Sequence, residues 1–379
     1  MTNPERHFLE ADVIVAGAGP AGVSAALAAA EAGAKVLLVD THDQPGGTLH
    51  HAGLHTLCGL FLPNADSPVP VSNTARMWAE AIGSRPMRMG RLYELPLAPG
   101  QFSVTATDML SRSQGLEVAF GAELGAGSVL RFRSLVDATG RAHILDMAGL
   151  PTAGADPTCP GIGFRLSGVA AKRPSTLQIL RHFDRLGYEF LPTIMPWRGP
   201  ENEIAGVLNV APEHHGDAPR TLKSRTLEYL ETMLRELRTA FIPFAASRLS
   251  HVGEEVGLRS GRVFAGPMRI DRSQVRAGGA EDVAVRGFWP VEWWRDLGGP
   301  RFVHPHPGGY AIPDECLRVS RSPSIYTAGM SISATPEGQA AVRAAGVCLE
   351  TGARAGTLAA QDARMEIFHQ LVLMPRKSA

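Results

Sequence analysis

The chain of 379 residues has only four cysteines, and they stand far apart: Cys58, Cys159, Cys316 and Cys348. No two form a CxxC, which excludes a disulfide framework, a paired redox dithiol and a cysteine-built metal centre. Charge of one sign is also missing: 37 basic residues face 37 acidic ones. That balance argues against a surface built for nucleic acid or another polyanion. Lysine occurs only as Lys35, Lys172, Lys223 and Lys377, so arginine carries most of the positive charge, a bias read as genome composition. No apolar run has transmembrane length, and the polar amino terminus MTNPERHFLE has no signal-peptide core. A cytoplasmic location with no membrane partner is expected. Internal repeats and low-complexity tracts are absent as well. What remains is a globular composition, 44% hydrophobic and 20% charged, on a chain long enough for two domains.

The strongest positive signal lies between Ala11 and Thr48. An apolar run, Val13 to Ala16, leads into Gly17-Ala-Gly19-Pro20-Ala21-Gly22. An alanine-rich helical pattern follows to Ala32, then Gly33, then Val36 to Val39, ending on Asp40. Strand, glycine turn, helix, strand and acid in that order form a dinucleotide-binding fingerprint. Gly17 permits the tight turn, Gly19 lets backbone approach a pyrophosphate, and Gly22 lets the helix lie on the sheet. The helix start turns free N–H groups and a positive dipole end toward phosphate. Asp40 suits a ribose hydroxyl and disfavours a 2′-phosphate.

Further along, Thr41 to Arg76 is rich in His, Gly and Pro and too long for an idle connector. Thr74 to Ile82 reads as helix, and Phe102 to Arg112 as helix or strand. Leu116–Phe120 and Leu130–Arg133 read as strands. Leu135-Val-Asp137-Ala138-Thr139-Gly140 reads as a strand ending in a turn. Gly161–Leu166 and Ile204–Val210 are expected strands. Arg220 to Phe241 is an expected helix, with Leu222, Leu227, Leu230, Leu234 and Leu237 toward a core. Ser324 to Gly329 is a returning strand. Thr335 fits an N-cap and Pro336 the first position of a helix running to about Thr351.

Gly46-Gly47-Thr48, just past the second strand, resembles the glutathione-reductase-type flavoproteins with two dinucleotide-binding domains, where such a pair passes close to FAD. The whole order of landmarks resembles the bacterial FAD-dependent oxidoreductase family: Gly17 to Gly22, Asp40, Gly46-Gly47, Asp137 to Gly140 with Asp146-Met-Ala-Gly149, Gly257-Leu-Arg259 with Arg262, Tyr310-Ala-Ile-Pro313, and Ala328-Gly329-Met330 through Thr335 to Gln339. The resemblance implies bound FAD and redox chemistry. It implies an α/β fold with a Rossmann-like FAD domain of glutathione reductase type (1–158 with 318–379) and an inserted α+β substrate domain (159–317). It also implies a cofactor-facing set of Gly17, Gly19, Pro20, Ala21, Gly22, Asp40, Gly46, Gly47, Thr48, Leu124, Ala138, Thr139, Gly140, Gly329, Met330, Thr335 and Gln339. Two departures stand out: Arg141 replaces an acid frequent after the DATG run, and Gly329-Met330 replaces a Gly-Asp that contacts the ribityl chain in many relatives. No second GxGxxG supplies a built-in NAD(P)H domain.

The helix at Thr335-Pro336 is the expected support for negative charge on reduced flavin, unless Thr335 is only a cap. Gln339 faces either the cofactor or solvent. His50, His51, His55 and Cys58 follow the Gly-Gly pair; His51 or His55 as general base, a histidine–flavin tether, and plain loop packing all stay open. Zinc ligation is disfavoured, so no metal is expected. Arg259 and Arg262 either hold a carboxylate or flavin carbonyl, or make surface ion pairs. Phe288 to Trp294 walls a pocket or packs a core, and His304, His306 or Tyr310 are candidates to face the flavin. The expected function is an FAD-dependent dehydrogenase or oxidase on a small organic substrate, with an external reductant or electron acceptor. The alternative is a monooxygenase reduced from outside. An RNA-modifying flavoprotein fits the charge less well, and a flavin-binding scaffold without turnover comes last.

Overall fold

The computed structural model describes residues 8–374 apart from 123, 155, 200–202 and 280–282; residues 1–7 of the polar amino terminus lie outside it. The chain opens with β1 (Phe8–Ala16), α1 (Pro20–Glu31) and β2 (Val36–Asp40). Then come α2 (Gly47–His51), β3 (Thr56–Cys58), α3 (Asn73–Ile82), β4 (Met87–Met89), β5 (Leu92–Pro96) and α4 (Gln101–Arg112). β6 (Leu116–Phe120), β7 (Val129–Asp137), α5 (His143–Met147) and β8 (Thr152–Ala153) follow. The two strands expected around Leu130 and Leu135 are one continuous β7, and Phe102–Arg112 is helix.

The middle of the chain carries β9 (Gly161–Ser167), α6 (Thr176–Leu186), β10 (Phe190–Arg198), β11 (Ile204–Val210), α7 (Pro219–Ala240) and β12 (Arg248–Val252). Short pieces come next: β13 (Val263–Phe264), α8 (Arg272–Ala277), β14 (Arg286–Gly287), β15 (Val291–Trp293), β16 (Arg301–Val303) and β17 (Tyr310–Ala311). The chain returns through β18 (Arg318–Arg321), β19 (Ser324–Thr327), α9 (Pro336–Val342), α10 (Ala345–Ala363) and β20 (His369–Val372).

The main sheet has the order β18-β19-β7-β1-β2-β6, with β20 also on β7. β19, β7, β1, β2 and β6 run parallel; β18 and β20 are antiparallel. Both faces of this sheet are covered, and its inner strands are accordingly near-continuous apolar runs such as Val13–Ala16. The alanines of α1 have a second cause: the helix is pressed between the sheet and α10. A Cβ on Gly352 would fall 2.1 Å from the Ala21 carbonyl oxygen, and one on Gly356 2.0 Å from that of Ala25. Two glycines four apart thus face two alanines four apart, letting the helix backbones touch.

A second, antiparallel sheet, β10-β11-β9-β12, is backed by α6 and α7 around its own core. α7 buries Leu222, Leu230 and Leu237 as its spacing indicates, but Met233 and Thr226 complete the stripe and Leu227 is exposed. Residues of the later segment, among them Ile270, Val275, Tyr310 and Leu317, pack into the main core with α10. Among the described residues no helix is long and apolar enough to cross a membrane.

The two sheets meet where glycines allow backbone to touch backbone. Gly163 on β9 donates to the Ala52 carbonyl at 2.7 Å, and Gly253 after β12 donates to Gly163 at 3.0 Å. A Cβ on Gly163 would sit 1.9 Å from the Gly53 carbonyl oxygen. Gly163→Ala is therefore expected to destabilise the protein by about 1–3 kcal/mol, the usual cost of overpacking. Denaturant unfolding monitored by tryptophan fluorescence checks this; an unchanged midpoint would contradict the contact.

Candidate active site

Three glycine-bearing turns converge at the carboxyl ends of β1 and β7. Gly17 has φ +99°, and a Cβ there would lie 2.5 Å from the Ala138 carbonyl oxygen. Gly22 is closed by the turn itself, since a Cβ would lie 1.6 Å from the Gly17 carbonyl oxygen. Gly46 donates to the Ala18 carbonyl at 2.8 Å and brings Gly47 against Gly19. Behind the third turn, buried Asp137 accepts from the Thr139 N–H at 3.0 Å, its hydroxyl at 2.6 Å and the Leu145 N–H at 3.0 Å.

These turns frame one end of a cavity of about 960 Å³. Gly17, Gly19, Pro20, Ala21, Asp40, Gly47, Thr48, Leu124, Ala138, Thr139, Gly140, Gly329 and Met330 all line it. Gly22 and Gly46 shape the turns from behind. α1 opens at Gly19 with no side-chain cap, leaving first-turn amides for an anion. Asp40 accepts the Ala18 N–H and the His42 N–H, the latter at 2.9 Å, so the acid also braces the glycine turn. A carboxylate has further lone pairs, so a ribose hydroxyl can still share it.

Thr335 and Gln339 do not join them. Thr335 caps α9 by accepting the Gly338 N–H at 3.1 Å, and its own N–H donates to Ile270. Gln339 is neither cofactor-facing nor solvent-facing. It is buried, its amide donating to the Gly261 and Met330 carbonyls, each at 2.9 Å, which fixes Met330 in the cavity wall. The expected single helix from Pro336 is broken after Arg343. It is the next helix, α10, that starts at the cavity: Arg343, Ala344, Ala345 and Cys348 line it, and Ala344 offers no capping side chain. The break follows from tertiary contacts. Arg343 donates to the Glu292 carbonyl at 2.8 Å, and Gly346 is pressed on the Cys58–Gly59 backbone.

The histidines split by environment. His51 is buried in the wall, its ring stacked on His42 at 3.8 Å and its Nδ1 3.4 Å from Glu254. His42 bridges Asp40 at 3.0 Å and Glu255 at 3.1 Å. The two rings thus clasp the nucleotide turn to the loop after β12. His55 lines the cavity, but burial, aided by the Arg165 charge, drives its pKa down to about 3. His55 is therefore uncharged at neutral pH and only a weak base. His50, His51 and Glu254 place potential ligand atoms within 4.8 Å of one another, with Glu254 exposed.

Arg259 makes no surface ion pair. It is half-buried beneath Trp294, 4.8 Å from the ring centroid, and donates to the Cys159 carbonyl and to Asn209 Oδ1, both at 2.6 Å. Burial and the Arg343 charge lower its pKa to about 10. Both terminal nitrogens are therefore engaged by protein, and Arg259 braces the cavity wall rather than presenting an open fork to a carboxylate. Arg262 sits away from the cavity, 3.5 Å from Asp146. Trp289 and Trp294 do line the cavity, tied together by Glu292, which accepts their indole N–H groups at 3.2 and 2.8 Å. His304 lines it too, whereas Tyr310 is buried in the core and His306 accepts the Gly308 N–H within its own loop.

One group was invisible in the sequence. Antiparallel β3 and β5 set Cys58 opposite Glu94, so thiol and carboxylate share a face, and both line the cavity. Burial, then the nearby Glu292 charge, raises Glu94 to about 7, and burial pushes the Cys58 thiol up as well.

A glycine cradle on an uncapped helix, an acid at the end of β2 and a long cavity under a second sheet define a dinucleotide-binding α/β protein. A model of the FAD dependent oxidoreductase family matches residues 12–175 and 164–376, and the chain belongs to that family. Its cofactor is FAD. A thiamine thiazole synthase from Aeropyrum pernix is 56% identical over 48 residues, 13% of this chain and 18% of that protein. The sarcosine oxidase subunit alpha of Rhizobium meliloti is 51% identical over 45 residues, 12% of this chain and 5% of the relative. The chain thus spans only a small part of the curated relatives it matches. A solved flavoprotein/dehydrogenase from Cytophaga hutchinsonii is 14% identical, with 95% of this chain and 80% of that one covered at a TM-score of 0.45.

Gly19 and Gly22 separate binding from folding. A Cβ at Gly19 meets nothing nearer than Gly47 Cα at 3.8 Å, whereas one at Gly22 collides with backbone. Gly19→Ala is expected to fold normally yet lose most of its FAD, and Gly22→Ala to lose both fold and FAD. Flavin absorbance per mole of protein, set beside circular dichroism, checks the pair; full flavin content in Gly19→Ala would misplace the phosphate site.

Proposed function

We propose that this protein is an FAD-dependent dehydrogenase or oxidase of the glutathione reductase type acting on a small organic substrate. The observation that carries the reading is the shape of the cavity. It runs from the phosphate cradle at Gly17 and Gly19 to a wall of Thr193, Val207, Trp289 and Phe302, leaving room beyond a nucleotide. The glycines fit a pyrophosphate that side chains would displace, and Asp40 fits the adenosine ribose. When bound, FAD supplies acceptance of a hydride.

The chain's own residues provide the rest. The described residues of segments 1–158 and 318–379 hold the nucleotide, and the second sheet within 159–317 closes the substrate end. The uncapped start of α10 directs amide dipoles at negative charge developing near Ala344–Ala345, the part first assigned to α9. The backbone at Gly329, held at φ +69° with its N–H on Thr351 Oγ1 at 3.1 Å, takes the place of the missing ribityl-contacting acid. Trp289 and Trp294, locked by Glu292, exclude water from the substrate end. Without a second glycine fingerprint for a nicotinamide nucleotide, electrons leave to an external acceptor.

Anaerobic mixing of the yellow holoprotein with a panel of small amines, alcohols and hydroxy acids is expected to bleach the flavin with no NAD(P)H added. Bleaching by NADH alone, followed by transfer of an oxygen atom from O2 into product, would instead establish the monooxygenase reading.

A further inference from the structure

Four carboxylates line the cavity: Asp40, Glu94, Glu255 and Glu292. His42 bridges the first and third, and Arg343 stands 3.9 Å from the fourth. Glu94 has no cation within ion-pair distance among the described residues. Its Oε2 is buried and without a hydrogen-bond partner, although the residue is 8% exposed. An uncompensated buried carboxylate is costly, and such a group is retained where a ligand completes it. The groups facing it are the Cys58 thiol from β3 and Glu292 from β15; Arg343 at the end of α9 is engaged with Glu292. The neighbouring walls are apolar, with Leu54, Leu92, Trp289 and Val207.

We infer that Glu94 is the counter-ion and proton acceptor for an amine substrate with an apolar body. This rests on the dehydrogenase reading above. The ammonium group supplies the missing positive charge and donates to the part of the Glu94 carboxylate that faces the cavity. It then gives one proton to Glu94, forming the carboxylic acid and the neutral amine. As the adjacent C–H bond breaks, its hydrogen and both electrons pass to the flavin, and the nitrogen lone pair forms C=N. The substrate leaves as an iminium ion, oxidised by two electrons, and the flavin is reduced by two. Titration near 7 suits the role, because the group can hold and release this proton at neutral pH.

Benzylamine, with benzyl alcohol and benzoate as neutral and anionic counterparts, tests the assignment on the FAD-loaded protein. Calorimetry and perturbation of the flavin spectrum report binding without turnover. Benzylamine is expected to bind roughly ten- to a hundredfold more tightly than benzyl alcohol, the strength of a charge-assisted contact. Its affinity should rise between about pH 6 and pH 8 as the carboxylate forms. Glu94→Gln should remove both the preference and the pH dependence while keeping its flavin. That variant should be at least as stable as the parent at about pH 8, since ionisation of a carboxyl with raised pKa costs stability as pH rises. If it does not fold, the three-ligand comparison on the parent protein still decides. A yellow, dithionite-reducible protein that binds benzyl alcohol as well as benzylamine, or neither, overturns the amine assignment alone. Failure of every small organic donor to bleach the flavin, alongside NADH-driven bleaching, overturns the dehydrogenase reading instead.

Discussion

Backbone-to-backbone contact, possible only where no Cβ intervenes, is the constraint on which the rest of this structure depends. Gly17 against Ala138, Gly22 against Gly17, and Gly47 against Gly19 make the cradle. Gly163 and Gly253 against the Ala52–Gly53 backbone hold the second sheet over it. Gly352 and Gly356 against α1 fix the helix that aims at the phosphates. Each contact brings hydrogen-bonding backbone within a few ångströms, and together they frame the cavity of about 960 Å³. Side chains decide what enters it, but glycines decide that it exists.

The electrostatics of the cavity follow from how its charges are paired. Arg259, Arg343 and Glu292 are consumed in bracing two tryptophans and a helix break. His55 is held neutral by burial. The nucleotide end keeps its polar balance through Asp40, His42 and Glu255, while the far end has one uncompensated acid. A binding site is thereby divided into a satisfied part and an expectant part, and the start of α10 lines the same cavity.

Legibility in the sequence tracked the range of the interaction. The turn from Gly17 to Gly22, Asp40 and Gly46-Gly47 were readable because a local backbone conformation demands those residues at that spacing. Most of the long strands and α7 were readable from periodicity. The break between α9 and α10 was not, because VRAAGVC has ordinary helical propensity and is interrupted only by Arg343 reaching Glu292 and Gly346 reaching Gly59. Glu94 was hidden for the same reason: its significance lies in a strand register that sets it beside Cys58. Arg259 and Gln339 looked functional from their motifs, and tertiary packing turned both into braces.

The pairing of α1 with α10 couples chain segments more than three hundred residues apart, and β19 closes the same sheet beside β7. During synthesis the turn at Gly17 emerges early, yet its supporting helix lacks α10, the neighbour on its side away from the sheet, until residues 345–363 have left the ribosome. Contacts of such long sequence separation form late. Cofactor loading in this protein therefore follows the synthesis of α10, and nascent chains stalled before it should be colourless and prone to capture by chaperones.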